Sequence, residues 1–302
     1  MKMTMRILAA ACAFLLCAPF ALRAQSGAAL GFTCIERSPR ASGLAGAGAA
    51  SQKATAHAGF ARAAQLSFLP ELGEGALGLQ LWEPTNEVDK TTNFNAVLAL
   101  RFVKLGVALA GAYQSGVKMG TFVPSDRLLS AGLSYAINDR LSLGLNARYA
   151  AQALSASAQV SGFSADFSLV GLITPELSAA LGVANLGNRV QGSASTYPQP
   201  ARANAGLAWN LAFSPEHTLE LMLDGEYYFN GPAAGALGAE YTFRDLLFLR
   251  AGYRYAGADC IIPSHASLGA GLRFHGLGLD ISWLTASDIL ANTLNVGLSY
   301  RF

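Results

Sequence analysis

The sequence predicts an all-β fold, a transmembrane antiparallel β-barrel of about fourteen strands, and three observations lead there. The first is the alternation of the C-terminal stretch 292–302, where Leu294, Val296, Leu298, Tyr300 and Phe302 are apolar at every second position and Asn295, Gly297, Ser299 and Arg301 lie between them. A strand repeats every two residues, so one row of side chains suits lipid and the other a polar interior. The second is composition: only 13% of the 302 residues are charged, 52% are hydrophobic and mean hydropathy is +0.32. A soluble surface calls for about 25% charged residues. Beyond the first two dozen residues no apolar run reaches the ~18 that a helical span requires, so the hydrophobicity belongs to strands. The third is the parity of the connections, described below.

From the amino end, residues 1–24 read as a cleaved signal peptide, with Lys2 and Arg6 ahead of an apolar stretch from Ile7 to Leu22. Export then leaves Cys34 and Cys260 as the cysteines of the mature chain, either free or bonded. Residues 25–72 differ from everything after them. Ala and Gly dominate, as in the run from Ala41 to Ala50, there is no alternation, and 51–66 is weakly helical in pattern. No strand precedes these glycines and no Gly-Lys-Ser/Thr follows, which sets aside a phosphate loop. Small residues pack tightly, so this segment is expected to form a hatch inside the lumen.

Residues 73–302 form the barrel. Strands are expected to start near Gly75, Thr92, Leu105, Arg127, Leu141, Ser161, Leu177, Arg202, Thr218, Gly235, Leu246, His265, Gly276 and Asn292. Leu141, Leu143, Leu145, Ala147 and Tyr149 make one outward row, and Leu277, Leu279, Ile281 and Trp283 another. Connections after even-numbered strands are short, as at Asn138-Asp139 and His275-Gly276, whereas several after odd-numbered strands are longer, notably 114–126, 187–201 and 256–264. Short periplasmic turns alternating with longer outer loops are the pattern of outer-membrane barrels.

The opposite phase of each strand is rich in Gly, Ser and Asn and holds the charges: Arg101, Asn146, Arg148, Asp224, Glu226, Glu240, Arg250, Arg254, Arg273 and Asp280. A cation facing lipid at mid-membrane costs ~2–4 kcal/mol, which the inward phase avoids. Arg101, Arg148, Asp224, Glu226, Glu240, Arg273 and Asp280 are expected to form a luminal charge network of mixed sign. Catalytic signatures are missing: there is no Gly-x-Ser-x-Gly elbow, and His57, His217, His265 and His275 lack metal-ligand spacing. Neither a cofactor nor a metal is expected. A net charge of +2 without a basic cluster gives no reason to expect nucleic acid. Tyr300 and Phe302 resemble the C-terminal signal read by barrel-assembly machinery, and that machinery and outer-membrane lipid are the expected partners.

Several blocks resemble the PorV/PorQ family of FadL-type outer-membrane proteins. They are Pro39-Arg40-Ala41 followed by Gly46-Ala47-Gly48-Ala49, then Asn185-Leu186-Gly187 leading through Pro198 and Pro200, then 249–254 and 278–283. The resemblance implies a fourteen-stranded barrel with an amino-terminal hatch. It departs at Arg62-Ala63-Ala64, where members of the family usually carry Asn-Pro-Ala, which bears on how the hatch is anchored. It also implies one of two roles, passage of hydrophobic solutes such as long-chain fatty acids or service in type IX secretion with exported proteins as partners; a purely structural barrel is the third reading. Short outer loops favour transport. On that reading a hydrophobic ligand is expected between hatch and wall, against Phe60, Leu66 and Phe68, with Arg250 or Arg254 at its headgroup. These arginines are ~13 Å apart along one strand, too far to share a carboxylate, so Asp280 is expected to neutralise the other.

Overall fold

The computed structural model describes residues 28–302 except 71, 83–90, 117, 119, 156–157, 193–194, 230, 258 and 288; the expected signal peptide lies outside the described residues. In chain order the strands are β1 Gly73–Trp82, β2 Thr91–Phe102, β3 Leu105–Ser115, β4 Ser125–Asn138, β5 Leu141–Ala153, β6 Gln159–Leu172 and β7 Leu177–Gly187. A two-rung ribbon follows, β8 Val190–Gln191 and β9 Thr196–Tyr197. The chain then continues through β10 Arg202–Ser214, β11 His217–Tyr228, β12 Ala233–Phe243, β13 Leu247–Ala256, β14 His265–Phe274, β15 Leu277–Thr285 and β16 Thr293–Arg301. All but the ribbon close into one antiparallel barrel of fourteen strands, each paired with its sequence neighbours, with β7 beside β10 and β1 beside β16. Every expected strand start falls within two residues of an observed one.

Closure is made at the seam of β1 and β16. The Phe302 N–H donates to the Gly73 carbonyl at 3.1 Å and the Gly73 N–H to the Phe302 carbonyl at 3.2 Å. One rung in, the paired side chains of Glu74 and Arg301 form an ion pair at 2.7 Å on the luminal side. A closed sheet leaves no strand edge in lipid, where an unpaired backbone group has no water to bond. Outward positions along each strand are the exposed large hydrophobics, with Phe102, Tyr135, Phe213, Phe274 and Tyr300 at the short-turn end and Phe94, Tyr113, Phe163, Tyr253 and Tyr255 toward the other. Aromatic girdles flanking an aliphatic band mark the two interfaces of a membrane barrel. Among the described residues no helix is long and apolar enough to cross a membrane.

The hatch fills the lumen. Its only regular pieces among the described residues are a single α-turn at Pro39–Ser42 and 3-10 turns at Gly31–Cys34, Ala56–Phe60 and Ala63–Phe68, so the weak helical pattern of 51–66 becomes short turns. A lumen ringed by fourteen strands has no room for a long helix with side chains on every face; short turns of Ala and Gly keep the backbone near the wall. Leu30, Phe32, Phe60, Ala63 and Leu66 pack on Val97, Ala108 and Leu128 of β2 to β4, and Leu44, Ala47, Ala50 and Ala64 on Val170, Ala180, Ala208 and Met222 of β6 to β11. The wall meets this backbone with inward glycines. A Cβ added at Gly144 would lie 2.0 Å from the Ala64 nitrogen, and one at Gly252 2.3 Å from the Leu44 carbonyl carbon. Neither neighbour is a flexible side-chain tip, so nothing but hatch displacement relieves the overlap.

We therefore expect Gly144→Val and Gly252→Val to assemble as barrels but to expose the hatch, with trypsin cutting after Lys53 and Arg62. Gly235→Ala, whose added carbon meets nothing closer than 3.5 Å, stays as resistant as the parent. Equal resistance in all three variants would mean the hatch does not press on the wall at these points.

Candidate functional site: a plugged lumen and a notch in the wall

Between hatch and wall, inward polar side chains of the strands bond to the hatch backbone. Ser130 Oγ and Asn146 Nδ2 donate to the Gly59 carbonyl at 2.8 and 2.7 Å; Asn146 Oδ1 accepts from the Ala63 N–H at 3.1 Å, and Ser168 Oγ from the Ala64 N–H at 3.0 Å. Ser142 Oγ donates to the Ala64 carbonyl at 2.8 Å and Ser178 Oγ to the Ala50 carbonyl at 2.6 Å. The hatch has little secondary structure of its own, and the barrel supplies the partners its backbone would otherwise lack. Departure from Asn-Pro-Ala puts Ala63 where the family has Pro, and so leaves the Ala63 N–H free to make one of these bonds.

Charges close the same interface. Glu240 is fully buried and accepts from Arg40 of the hatch at 2.8 Å and Arg250 of β13 at 2.7 Å, with Lys53 Nζ at 3.2 Å. Arg40 also reaches Glu220 at 3.1 Å, and Arg250 reaches Asp280 at 2.5 Å. Three cations thus face three carboxylates, and the cluster is neutral as a whole. Arg254 pairs with Glu226 at 2.6 Å and Arg202 approaches the same carboxylate at 3.6 Å. Asp224 takes the Gly48 and Ala49 N–H groups at 3.0 and 2.8 Å, in a stretch opened by positive φ at Ala45, Gly46 and Gly48. Arg273 stacks over the Phe248 ring at 5.3 Å, and Arg101 is half-buried near the short-turn end.

The structure thus places Arg250 and Arg254 on the luminal face, each already held by carboxylates, with Asp280 on Arg250. Phe60 and Leu66 are buried in the hatch–wall core and Phe68 packs against its edge. Tyr300 and Phe302 sit outward at the closing seam with their rings stacked at 6.3 Å. Cys34 and Cys260 are free thiols, and Cys34 Sγ accepts from Arg202 at 3.0 Å. Sequence reasoning passed over Glu220, Asp166 and Arg40. The first two stand in the inward phase of β11 and β6 and were within reach of the alternation argument. Arg40 lies in a segment with no period, and its partners are about 180 and 200 residues away.

One part of the wall is irregular. Pairing of β6 with β7 shifts register between Ala165 and Phe167, and β7 bends at Asn185, whose φ is 59°. A non-glycine residue in the left-handed region at a β-bulge is uncommon, and Asn is among the residues that tolerate it best. The bend is held from inside: Asp166 accepts the Asn185 N–H at 2.7 Å, Arg148 pairs with Asp166 and donates to Asn185 Oδ1 at 2.5 Å, and Asn185 Nδ2 donates to the Pro200 carbonyl at 3.2 Å. All three side chains are buried. Pairing between β7 and β10 ends at Ala184 and Arg202, and beyond it the buried Gln199 side chain lies beside Gly187 and donates to the Phe163 and Asn188 carbonyls at 2.8 and 3.1 Å. A notch results, and at it begins a cavity of about 1460 Å³ lined chiefly by apolar groups, including Leu186, Pro198, Ala201, Phe229, Tyr149 and Phe163. Above it the β8–β9 connection folds inward: Val190 is buried with Leu30 and Phe32, and Pro198 accepts the Ala29 N–H at 2.9 Å.

These elements make a closed fourteen-stranded antiparallel barrel with a hatch bonded across its lumen and an apolar recess in its side. Solved structures share this fold. The Ralstonia pickettii toluene transporter TbuX matches with a TM-score of 0.64 at 13% identity, over 87% of this chain and 98% of its own. The monoaromatic hydrocarbon channel CymD matches at 0.64 and 15%, over 87% and 96%. A Pseudomonas aeruginosa FadL homologue matches at 0.59 and 12%, over 89% and 99%. No protein-family model and no curated protein matches the sequence.

The buried cluster around Glu240 gives a direct test of how the hatch is held. Removing one partner of a buried ion pair costs ~3–5 kcal/mol because the other charge is left uncompensated. Glu240→Gln should therefore lower the temperature at which the folded barrel converts to its slow-migrating form on gels, whereas Glu216→Gln, at an exposed turn pair with Arg244, should leave it in place. Equal effects, or none at Glu240, would remove the cluster from the account of stability.

Proposed function

We propose that this protein resides in the outer membrane and admits hydrophobic solutes, which leave the lumen sideways through the notch between β7 and β10. The observation that carries this reading is the notch itself: an apolar recess in the wall, beside a buried Arg148–Asp166–Asn185 set that holds the bend of β7, next to a lumen whose axis the hatch fills. A polar solute gains nothing from an opening onto lipid, whereas a hydrophobic one moves down its free-energy gradient at ~25 cal/mol per Å² of apolar surface taken out of water. The toluene and monoaromatic-hydrocarbon channels that share the fold support the same class. Long-chain fatty acids belong to it too, although the arginines expected to hold a carboxylate are already paired with acids of the wall.

Kinship with the PorV/PorQ group rests on the sequence blocks, and it carries the second role, service to secreted proteins. Cargo binding at the outer mouth calls for projecting loops. The connection 188–201 instead folds into the mouth and bonds to the start of the hatch, so transport is the better supported role.

The test is uptake of radiolabelled toluene and of oleate by proteoliposomes carrying the parent protein, Ala201→Trp, which fills the notch, and Leu186→Arg, which puts a charge at its lipid side. Both variants should slow uptake about tenfold or more while the heat-dependent gel shift of the assembled barrel persists. Uptake at the parental rate in both variants would rule out the notch as the route, and absence of uptake by the parent would remove the transport reading.

A further inference from the structure

The outward register of β3 to β6 produces a furrow. Ala131, Ala147 and Ala165 are paired side by side across β4, β5 and β6, with Leu129, Tyr149 and Phe163 forming the row above them and Leu133, Leu145 and Phe167 the row below. Three methyl groups between two rows of large side chains leave a trough one residue wide on the lipid-facing surface, and the cavity runs along it from Leu109 to Arg189 at the outer end of β7. The row above the aromatic one places Arg127 outward and exposed, in register with Ala151 and Ser161.

Charge on this rim is of one sign. The outer connections after β3, β5 and β7 contain Lys118 and Arg189 and no acidic residue, whereas those after β1, β13 and β15 carry Glu83, Glu87, Asp89, Asp259 and Asp288 against Lys90 alone. Asp126, the neighbour of Arg127, turns into the lumen opposite Gln152. Among the described residues Arg127 and Lys118 have no ion-pair partner. Arg189 spends only part of its guanidinium, Nε and one NH2 group, on Thr196. Arg127 on β4 and Arg189 just beyond β7 are three strands apart, about 14 Å at ~4.8 Å per strand, within the combined reach of two arginine side chains toward one headgroup. Cations at the headgroup level of an outward face are attracted to anionic lipid.

We propose that this face is a docking site for an anionic phospholipid of the outer leaflet, its phosphate between Arg127 and Arg189 and one acyl chain laid in the Ala131–Ala147–Ala165 furrow. The inference rests on the membrane reading above but not on the solute: lipid retention and solute uptake are separate measurements.

Purified protein in neutral detergent is mixed with phosphatidylglycerol and phosphatidylcholine of identical acyl chains, and bound lipid is counted by native mass spectrometry. The parent should retain phosphatidylglycerol about tenfold over phosphatidylcholine, and millimolar inorganic phosphate should not displace it. Arg127→Gln with Arg189→Gln should bring the two lipids to parity, and Ala147→Phe, which fills the furrow, should reduce retention of both. The heat-dependent gel shift, which reports assembly, and toluene uptake are followed in every variant; a protein that needs no detergent fails the membrane reading instead. Lack of preference in the parent, or a preference that survives both arginine substitutions, overturns the proposal. So does a parental dimer that Ala147→Phe dissolves without loss of lipid, which would make the furrow a contact between copies.

Discussion

Everything else in this structure depends on the contact between the hatch backbone and the barrel wall. A segment with almost no regular structure is buried inside a cylinder, where each of its N–H and C=O groups needs a partner. The wall provides them from Ser130, Ser142, Asn146, Ser168, Ser178 and Asp224, and brings them into reach by giving up side chains at Gly144 and Gly252. The small residues of the two partners are therefore one adaptation: Ala and Gly in the hatch, Gly and Ser in the wall.

The same contact governs the charges. Isolated ions in this interior would be costly, and the three groups around Glu240, Glu226 and Asp166 answer that cost in different ways. The first draws cations from both hatch and wall and so ties the two together. The second joins β10, β11 and β13 within the wall. The third has no hatch member and instead fixes a bulge, with Asp166 taking the N–H that the bend at Asn185 frees from the ladder. A filled lumen and a held bulge are thus complementary: the hatch blocks the axis, and the buried set fixes the shape of the wall beside it.

How much of this was legible in the sequence follows from range. Period-two alternation is local, so strands, their inward and outward rows and the parity of turns could be read directly, and every strand start was found to within two residues. The hatch was legible through its loss of alternation and its Ala/Gly content. Pairings across the lumen were not, because Arg40 and Glu240 are 200 residues apart and no local pattern joins them. The β8–β9 ribbon was read as plain loop, since two-residue strands are too short to alternate. The bend at Asn185 lay inside a block valued for its family resemblance, yet a bulge is a mismatch between two strands and neither strand reveals it alone. Arg250 and Arg254 were placed on the luminal face correctly by phase; their carboxylate partners Glu240 and Glu226 come from β12 and β11, which strand order alone does not align in height.

The central claim is that the hatch, seated by these contacts, closes the barrel along its axis. Single-channel recording in planar bilayers tests it most directly, comparing the parent with a protein lacking residues 28–69. The account predicts no steady ion conductance from the parent and a stable open channel from the shortened protein. A parent that conducts ions steadily, or a shortened protein that assembles and stays as silent as the parent, would contradict it.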